Sequence, residues 1–146
     1  MTKNILFIFT LLCSLLVQNA FANNKPYQIK ITVNNTSPFQ LTALQSANFA
    51  SGSYAKIKPN STESFVFSGN SPNNLVLSYS TINPNDVLHA GPIILIGVQE
   101  IFGVACRGNS YSNRYGKIDA PCTLQGSSAT KIFDVQYTIS GSTKNN

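Results

Sequence analysis

Hydrophobic and polar residues alternate along much of this chain in short runs, which is the pattern of β-strands with one buried face. In residues 27–33, Ile29, Ile31 and Val33 share one side, while Gln28 and Lys30 lie on the other. The same alternation predicts strands at residues 39–43, 54–58, 63–67 and 75–79. It recurs in residues 131–139, where the shared side is formed by Phe133, Val135, Tyr137 and Ile139.

Turn-forming residues separate these runs. Asn, Pro, Ser and Gly are concentrated at residues 34–38, 51–53, 59–62, 68–74 and 83–86. A strand therefore recurs roughly every 8–12 residues, and no stretch shows helical periodicity. The sequence predicts an all-β fold, an antiparallel β-sandwich of about seven to nine strands. We expect a hairpin or a corner at residues 34–38 and a fraying tail at residues 140–146.

Outside the N-terminal segment, the most apolar part of the chain comprises residues 92–98 and 101–105. Its isoleucines favour a strand, and Gly97 is unfavourable inside a helix. Two interpretations are open, a buried central strand and a membrane-seeking one. The buried strand is our expectation.

The N-terminal segment has the features of a signal peptide. Lys3 precedes an apolar run over residues 5–17, shorter than the ~20 residues of a membrane-spanning helix, and Ala20 and Ala22 form a small-x-small cleavage site. We expect cleavage after Ala22 and one mature domain over residues 23–146, a common domain length. A lipoprotein signal at Cys13 is disfavoured because the bulky Leu12 precedes it.

Export would place the two remaining cysteines, Cys106 and Cys122, in an oxidising compartment, extracellular or periplasmic. We expect them to form a disulfide, which at this loop length would add ~3 kcal/mol to the free energy of unfolding. A metal or redox pair is the alternative, but the sequence has no CxxC spacing and no histidine cluster.

Charge is sparse and dispersed along the chain. Without Lys3, nine basic and five acidic residues leave a net charge of +4, and 10% of all residues are charged. No basic run is long enough to follow a phosphate backbone, so nucleic acid is not an expected partner.

Few groups in the mature sequence could catalyse a reaction. The one histidine, His89, follows Asp86 by three residues, but no serine in a nucleophile-elbow pattern accompanies the pair, and a surface turn is the simpler interpretation. The five carboxylates lie in unrelated segments, and no metal-binding or nucleotide-binding motif occurs. We expect a protein that is not an enzyme and uses no cofactor or metal.

Binding remains as a class of function, and the loop between the cysteines is the first candidate site. It combines cations with tyrosines, a mixture that suits anionic head groups or sugar rings. The residues concerned are Arg107, Tyr111, Arg114, Tyr115 and Lys117. An ordinary solvated loop is the alternative.

The predicted strand at residues 54–58 is the second candidate site. Alternation places Tyr54, Lys56 and Lys58 on one side, and lysines beside a tyrosine suit a membrane interface. A solvated sheet edge, which lysines protect against strand association, is the alternative.

Three segments resemble the small β-sandwich proteins of the aegerolysin and actinoporin-like group. They are residues 29–36 (IKITVNNT), residues 41–52 leading into 54–59 (YAKIKP), and residues 65–69 (FVFSG), within a region of about residues 27–80. The resemblance implies a β-sandwich that binds membrane lipids through exposed aromatic and basic residues, in some members with assembly into pores. We therefore expect a secreted protein that recognises membrane lipid or glycan surfaces through residues 107–117.

Two other functions fit the same sequence. A structural or adhesive subunit of a cell-surface or extracellular assembly would associate, as a possible homo-oligomer, through sheet edges. An inhibitor would present its disulfide loop to a target enzyme.

Overall fold

The computed structural model describes residues 25–44, 49–52 and 54–144. The predicted signal peptide, residues 1–22, lies outside the described residues. Within them, no helix is long and apolar enough to span a membrane. The helical structure of this part of the chain is a single 3-10 turn at Pro72–Asn74.

Strands make up most of the described chain. Thirteen are present there, and in chain order they are β1 (Tyr27–Asn35), β2 (Gln40–Ala43), β3 (Phe49–Gly52), β4 (Lys56–Ile57), β5 (Ser61–Gly69), β6 (Leu75–Asn83), β7 (Asp86–Ala90), β8 (Ile94–Glu100), β9 (Val104–Gly108), β10 (Ser110–Asn113), β11 (Gly116–Asp119), β12 (Cys122–Ser127) and β13 (Ile132–Thr143).

The strands form two sheets that share one interior, so the predicted β-sandwich is confirmed. Sheet 1 has the order β10, β11, β13, β1, β5, β3, and β12 also pairs with β13. Sheet 2 has the order β4, β2, β6, β8, β9, and β7 also pairs with β6. Buried side chains from both sheets form a single hydrophobic cluster.

The alternating runs have the predicted buried faces. In β1, Ile29, Ile31 and Val33 are buried while Gln28 and Lys30 are exposed. The predicted inward side of β13 is buried throughout, at Phe133, Val135, Tyr137 and Ile139. Burial of these side chains provides the main driving force for closing the sandwich.

The number and direction of the strands differ from the prediction. Thirteen strands occur in the described residues, not seven to nine, because short strands such as β7 (DVLHA) and β10 (SYSN) carry no alternating run of apolar residues. The pairing of β1 with β13 is parallel, in the register Ile29 with Phe133 and Ile31 with Val135. Alternation determines which face of a strand is buried but not the direction of its neighbour.

Residues 34–38 form a corner, not a hairpin, because β1 belongs to sheet 1 and β2 to sheet 2. Asn35 stabilises this corner from inside the protein. Its amide nitrogen donates to the carbonyls of Phe39 at 2.8 Å and Lys58 at 2.9 Å, and its amide oxygen accepts from the Ser37 hydroxyl at 2.6 Å. These bonds satisfy a polar side chain that is otherwise costly to bury.

The apolar stretch at residues 92–105 is not one buried strand. In β8, Ile94, Ile96 and Val98 are buried, whereas Leu95 on the opposite face is 46% exposed. The chain then turns, and Phe102 projects fully into solvent. Because the residues on both faces of β8 are apolar, the sequence lacks the alternation that would distinguish the buried face from the exposed one.

The C-terminal tail is ordered further than predicted. β13 continues through Thr143, and its residues from Ser140 onwards pair with β11. The backbone nitrogen of Lys144 donates to the Tyr115 carbonyl at 3.0 Å. Residues 145–146 of the predicted fraying tail lie outside the described residues.

The predicted disulfide between Cys106 and Cys122 is present, with a distance of 6.3 Å between the two Cα atoms. Cys106 lies in β9, at the edge of sheet 2, and Cys122 begins β12 in sheet 1. The bond therefore joins the two sheets covalently. The chain between the cysteines forms the β10–β11 hairpin.

Tyr137 joins the sheets by hydrogen bonds through the interior. Its hydroxyl donates to the Gly97 carbonyl at 2.6 Å and accepts from the Gly97 nitrogen at 3.0 Å, so a side chain of sheet 1 contacts the backbone of β8 in sheet 2. Burial raises the pKa of Tyr137 to about 12, and backbone hydrogen bonds at Gly97 and Arg107 oppose this rise.

We predict that Tyr137→Phe lowers the free energy of unfolding by about 1–3 kcal/mol, because it leaves backbone groups of Gly97 without their buried partner. Tyr79→Phe is the matched control, since the buried Tyr79 hydroxyl has no hydrogen-bond partner among the described residues. Removing that hydroxyl should be neutral or stabilising. Urea unfolding measures both variants, and equal losses would contradict the proposed role of the Tyr137 hydroxyl.

The raised pKa of Tyr137 predicts a loss of stability at alkaline pH. Its pKa is about 12 in the folded protein against 10.0 for an unperturbed tyrosine, so its contribution to the free energy of unfolding is complete below pH 10 and declines as the pH rises through 12. Over that interval it lowers the free energy of unfolding by about 1.4 kcal/mol per pH unit. Urea titrations from pH 9 to pH 12 should show a shallower decline for Tyr137→Phe, and parallel curves would refute the assignment.

We further predict that the free energy of unfolding of the double variant Cys106→Ala/Cys122→Ala is about 3 kcal/mol lower than that of the oxidised protein. The reason is that the chain without the disulfide has more conformational freedom when unfolded. The measurement is the urea midpoint under non-reducing conditions. Wild-type protein treated with a reductant should move to the midpoint of the variant. Coincident midpoints for oxidised protein and variant would show that the bond adds nothing.

Candidate functional site

A groove of about 320 Å³ lies on the outward face of sheet 2, where β8 runs between β6 and β9. We call it the outer groove. Apolar side chains form one part of its lining and polar side chains the other. Its main side chains are Val76, Leu95, Gln99, Arg107, Asn109 and Tyr111.

Gly97 forms the floor of the outer groove. A Cβ atom at this position would lie 2.6 Å from the Leu75 carbonyl oxygen, so a larger residue would push β6 and β8 apart. The Tyr137 hydroxyl holds the same residue from below. The floor is thus fixed by the core of the protein.

Three polar side chains of the outer groove have no protein partner in the described part of the chain, whereas the amide of Asn73, which also lines it, hydrogen-bonds the backbone of Glu100. The guanidinium of Arg107 is exposed, and among the described residues it makes no hydrogen bond and no ion pair. The side-chain amides of Gln99 and Asn109 likewise have no partner in that part of the chain. Tyr111 is half-buried, and its hydroxyl lies 3.5 Å from the Leu95 carbonyl oxygen.

A hairpin tip formed by Ile101, Phe102 and Gly103 connects β8 to β9. Ile101 is 64% exposed and Phe102 fully exposed. Gly103 has φ +148°, and nothing lies within 4 Å of where its Cβ would be. Gln99 lines both the outer groove and the apolar surface beside the tip, so the two features adjoin.

The sequence pattern does not predict this tip, because Ile101 and Phe102 belong to the apolar stretch that we expect to be a buried strand. Two polar residues, Gln99 and Glu100, precede them and Gly103 follows. That arrangement, polar residues before an apolar pair that ends in glycine, was the available sign of a turn.

A second concave region, the His89 cleft, has a volume of about 420 Å³ and lies at the opposite end of sheet 2. Strand β6 shows this, because its first residue pairs with β8 near the outer groove, whereas its last residue pairs with Asp86 of β7 in the cleft. His89 Nδ1 lies 2.9 and 3.0 Å from the two carboxylate oxygens of Asp86. The imidazole packs on the Tyr115 ring, with 4.5 Å between the centroids.

Arg114 and Tyr115 belong to this second region. The Arg114 guanidinium carbon lies 4.6 Å from the Tyr115 ring centroid. The tip of the β10–β11 hairpin therefore packs against β7. On the β7 side, the exposed Asp86 carboxylate orients the His89 ring that contacts Tyr115. These contacts give the pair a structural role.

Lys117 is engaged locally. Its ammonium lies 3.2 Å from an Asp119 carboxylate oxygen, and the Ser110 hydroxyl donates to the same carboxylate. The hydrogen bond from Ser110, followed by the one from Lys117, lowers the pKa of Asp119.

Tyr54 and Lys56 lie beside β2, far across sheet 2 from β9. Tyr54 is half-buried and meets the Phe65 ring edge-on at 6.2 Å between centroids. Lys56 is exposed in the two-residue strand β4. The structure thus distributes the predicted site residues over separate places, and it brings only Arg107 and Tyr111 together in the outer groove.

Within the described residues, no three His, Cys, Asp or Glu side chains are grouped so that they could hold a metal ion. No protein-family model matches this chain, and no curated protein matches it either.

Proposed function

We propose that this chain is exported and that its mature part is a non-enzymatic protein that docks on membrane surfaces through the hairpin tip. The single observation that supports this most is the full exposure of Phe102 next to the exposed Ile101. Adjacent large apolar side chains that project from a turn are typical of interaction sites and cost solubility without a partner. The resemblance of residues 27–80 to aegerolysins implies the same function.

The expected binding energy of the tip can be bounded. Burying one such side chain in an apolar environment contributes about 1.5–3 kcal/mol, so two contribute about 3–6 kcal/mol. A single myristoyl chain, with an association constant of about 10⁴ M⁻¹, lies in the same range and gives only reversible membrane binding. The tip alone would therefore bind weakly, and additional contacts are needed for stable docking.

Lys131 and Lys25, which lie at the same end of the sandwich as the tip, would supply one such contact. The Tyr27 hydroxyl donates to Glu100, immediately before the tip, at 3.1 Å, and the Lys131 ammonium lies 5.3 Å from the Tyr27 ring centroid. Lys25 lines a cavity together with Ile132, the residue that follows Lys131 in the chain. Each lysine near an anionic membrane contributes about 1 kcal/mol, and the exposed Glu100 carboxylate before the tip opposes this attraction.

Export is supported by two features. The N-terminal segment of the sequence has the organisation of a signal peptide, and the structure contains a disulfide, which persists in oxidising compartments.

A structural or adhesive subunit is the second candidate function, and β7 favours it. All five residues of β7 are exposed, including Val87 at 72% and Leu88 at 87%. An exposed apolar edge strand can pair with a second chain. Size-exclusion chromatography and vesicle sedimentation of the mature protein separate the two functions, because self-association without vesicle binding would replace membrane docking by assembly.

We predict that Phe102→Ser reduces the affinity for phosphatidylcholine/phosphatidylserine vesicles about tenfold or more, because the variant loses the transfer energy of the ring. Leu88→Ser is the matched control, a similarly exposed apolar residue at the opposite end of sheet 2. It should bind as the wild type does. Vesicle sedimentation measures both, and equal binding by wild type and Phe102→Ser would reject the hairpin tip as the contact.

A further inference from the structure

We propose that the outer groove binds the acidic sugar head group of a glycolipid while the hairpin tip enters the membrane that carries it. This inference rests on membrane docking by the tip and adds the identity of a second contact. It names a ligand class for a groove that the tip itself does not use.

The polar lining of the outer groove matches a sugar. The amides of Gln99 and Asn109 each offer a donor and an acceptor, which is what vicinal hydroxyls require. Neither amide has a protein partner in the described part of the chain. A ligand would therefore form these hydrogen bonds without breaking existing ones within the protein.

The apolar lining matches the other surface of a pyranose ring. Tyr111, Val76 and Leu95 present aromatic and aliphatic carbon next to the amides. A sugar ring has C–H groups on its faces and hydroxyls at its rim, so it can contact both kinds of lining at once. The groove, at about 320 Å³, is at the small end of the range for ligand pockets, a size suited to a terminal sugar.

Arg107 selects a sugar that carries a carboxylate. Its guanidinium can form two parallel hydrogen bonds to a carboxylate, and no acidic side chain of the described residues lies within ion-pair distance of it. The Tyr137 hydroxyl fixes the backbone of Gly97, which pairs with Arg107 in the β8–β9 ladder. The cation is thus presented from a rigid part of the sheet.

The spacing between tip and groove distinguishes a sugar from a phospholipid phosphate. Gly97, opposite Arg107, precedes Phe102 by five residues, and at ~3.3 Å per residue this places Arg107 up to about 16 Å from Phe102 when the hairpin enters tip-first. The polar layer on each side of the hydrocarbon is only about 5–8 Å thick. A phosphate in that layer lies below Arg107, whereas an oligosaccharide head group projects up to it.

The test uses vesicle sedimentation with four compositions. These are phosphatidylcholine alone and phosphatidylcholine with a ganglioside bearing one sialic acid, with the same glycolipid lacking sialic acid, or with phosphatidylserine at matched charge. Titration with the free ganglioside oligosaccharide is the fifth arm. The variants are Arg107→Gln, Phe102→Ser and, as matched control, Lys30→Gln, which removes one exposed cation from the outward side of sheet 1.

We expect the wild type to bind the sialylated vesicles most tightly. Arg107→Gln should lose about 10- to 100-fold of that affinity, the equivalent of one charge-assisted hydrogen bond, and little on phosphatidylserine. Lys30→Gln should retain it. Phe102→Ser should lose affinity for all vesicles but retain binding of the free oligosaccharide.

The possible failures are distinguishable. Equal binding to sialylated and phosphatidylserine vesicles, or equal losses in Arg107→Gln and Lys30→Gln, would overturn the sugar site and leave membrane docking in place. Oligosaccharide binding with vesicle affinity unchanged in Phe102→Ser would overturn membrane docking. The absence of binding in every arm would overturn both.

Discussion

The hydrogen bonds between the Tyr137 hydroxyl and Gly97 connect the two sheets at the point where the interior and the candidate binding surface meet. Tyr137 lies on β13, the strand that pairs with β1, β11 and β12, and Gly97 is the floor of the outer groove. A buried hydroxyl of this kind must be satisfied, and a backbone held by it cannot shift freely. The position of Arg107, the neighbour of Gly97 in the ladder, follows from this constraint.

The disulfide acts next to this connection. Cys106 precedes Arg107 directly, and its bond to Cys122 holds the edge of sheet 2 against sheet 1. One covalent connection at Cys106 in β9 and one hydrogen-bonded connection at Gly97 in β8 therefore support neighbouring positions of the β8–β9 ladder. Such rigid support reduces the entropy lost when a ligand orders the side chains of a binding site.

Sheet 2 carries exposed apolar residues on β8 and in the hairpin tip. Sheet 2 has Leu95 outward from β8 and Phe102 beyond its end, where solvent contact is unfavourable. In the functions that we propose, these residues have complementary tasks. The tip would supply non-directional apolar energy, and the outer groove would supply directional hydrogen bonds that can discriminate between ligands.

The all-β class, the buried faces of β1 and β13, and the disulfide could be predicted from the residues alone, because alternation and cysteine count are local properties of the chain. The parallel pairing of β1 with β13, the exposure of Phe102, and the groove that Arg107 and Tyr111 share apart from Tyr115 are visible only in the folded protein. These facts depend on which strands become neighbours. Pairing partners are selected by the packing of the whole interior, and a pattern with a period of two carries no information about them.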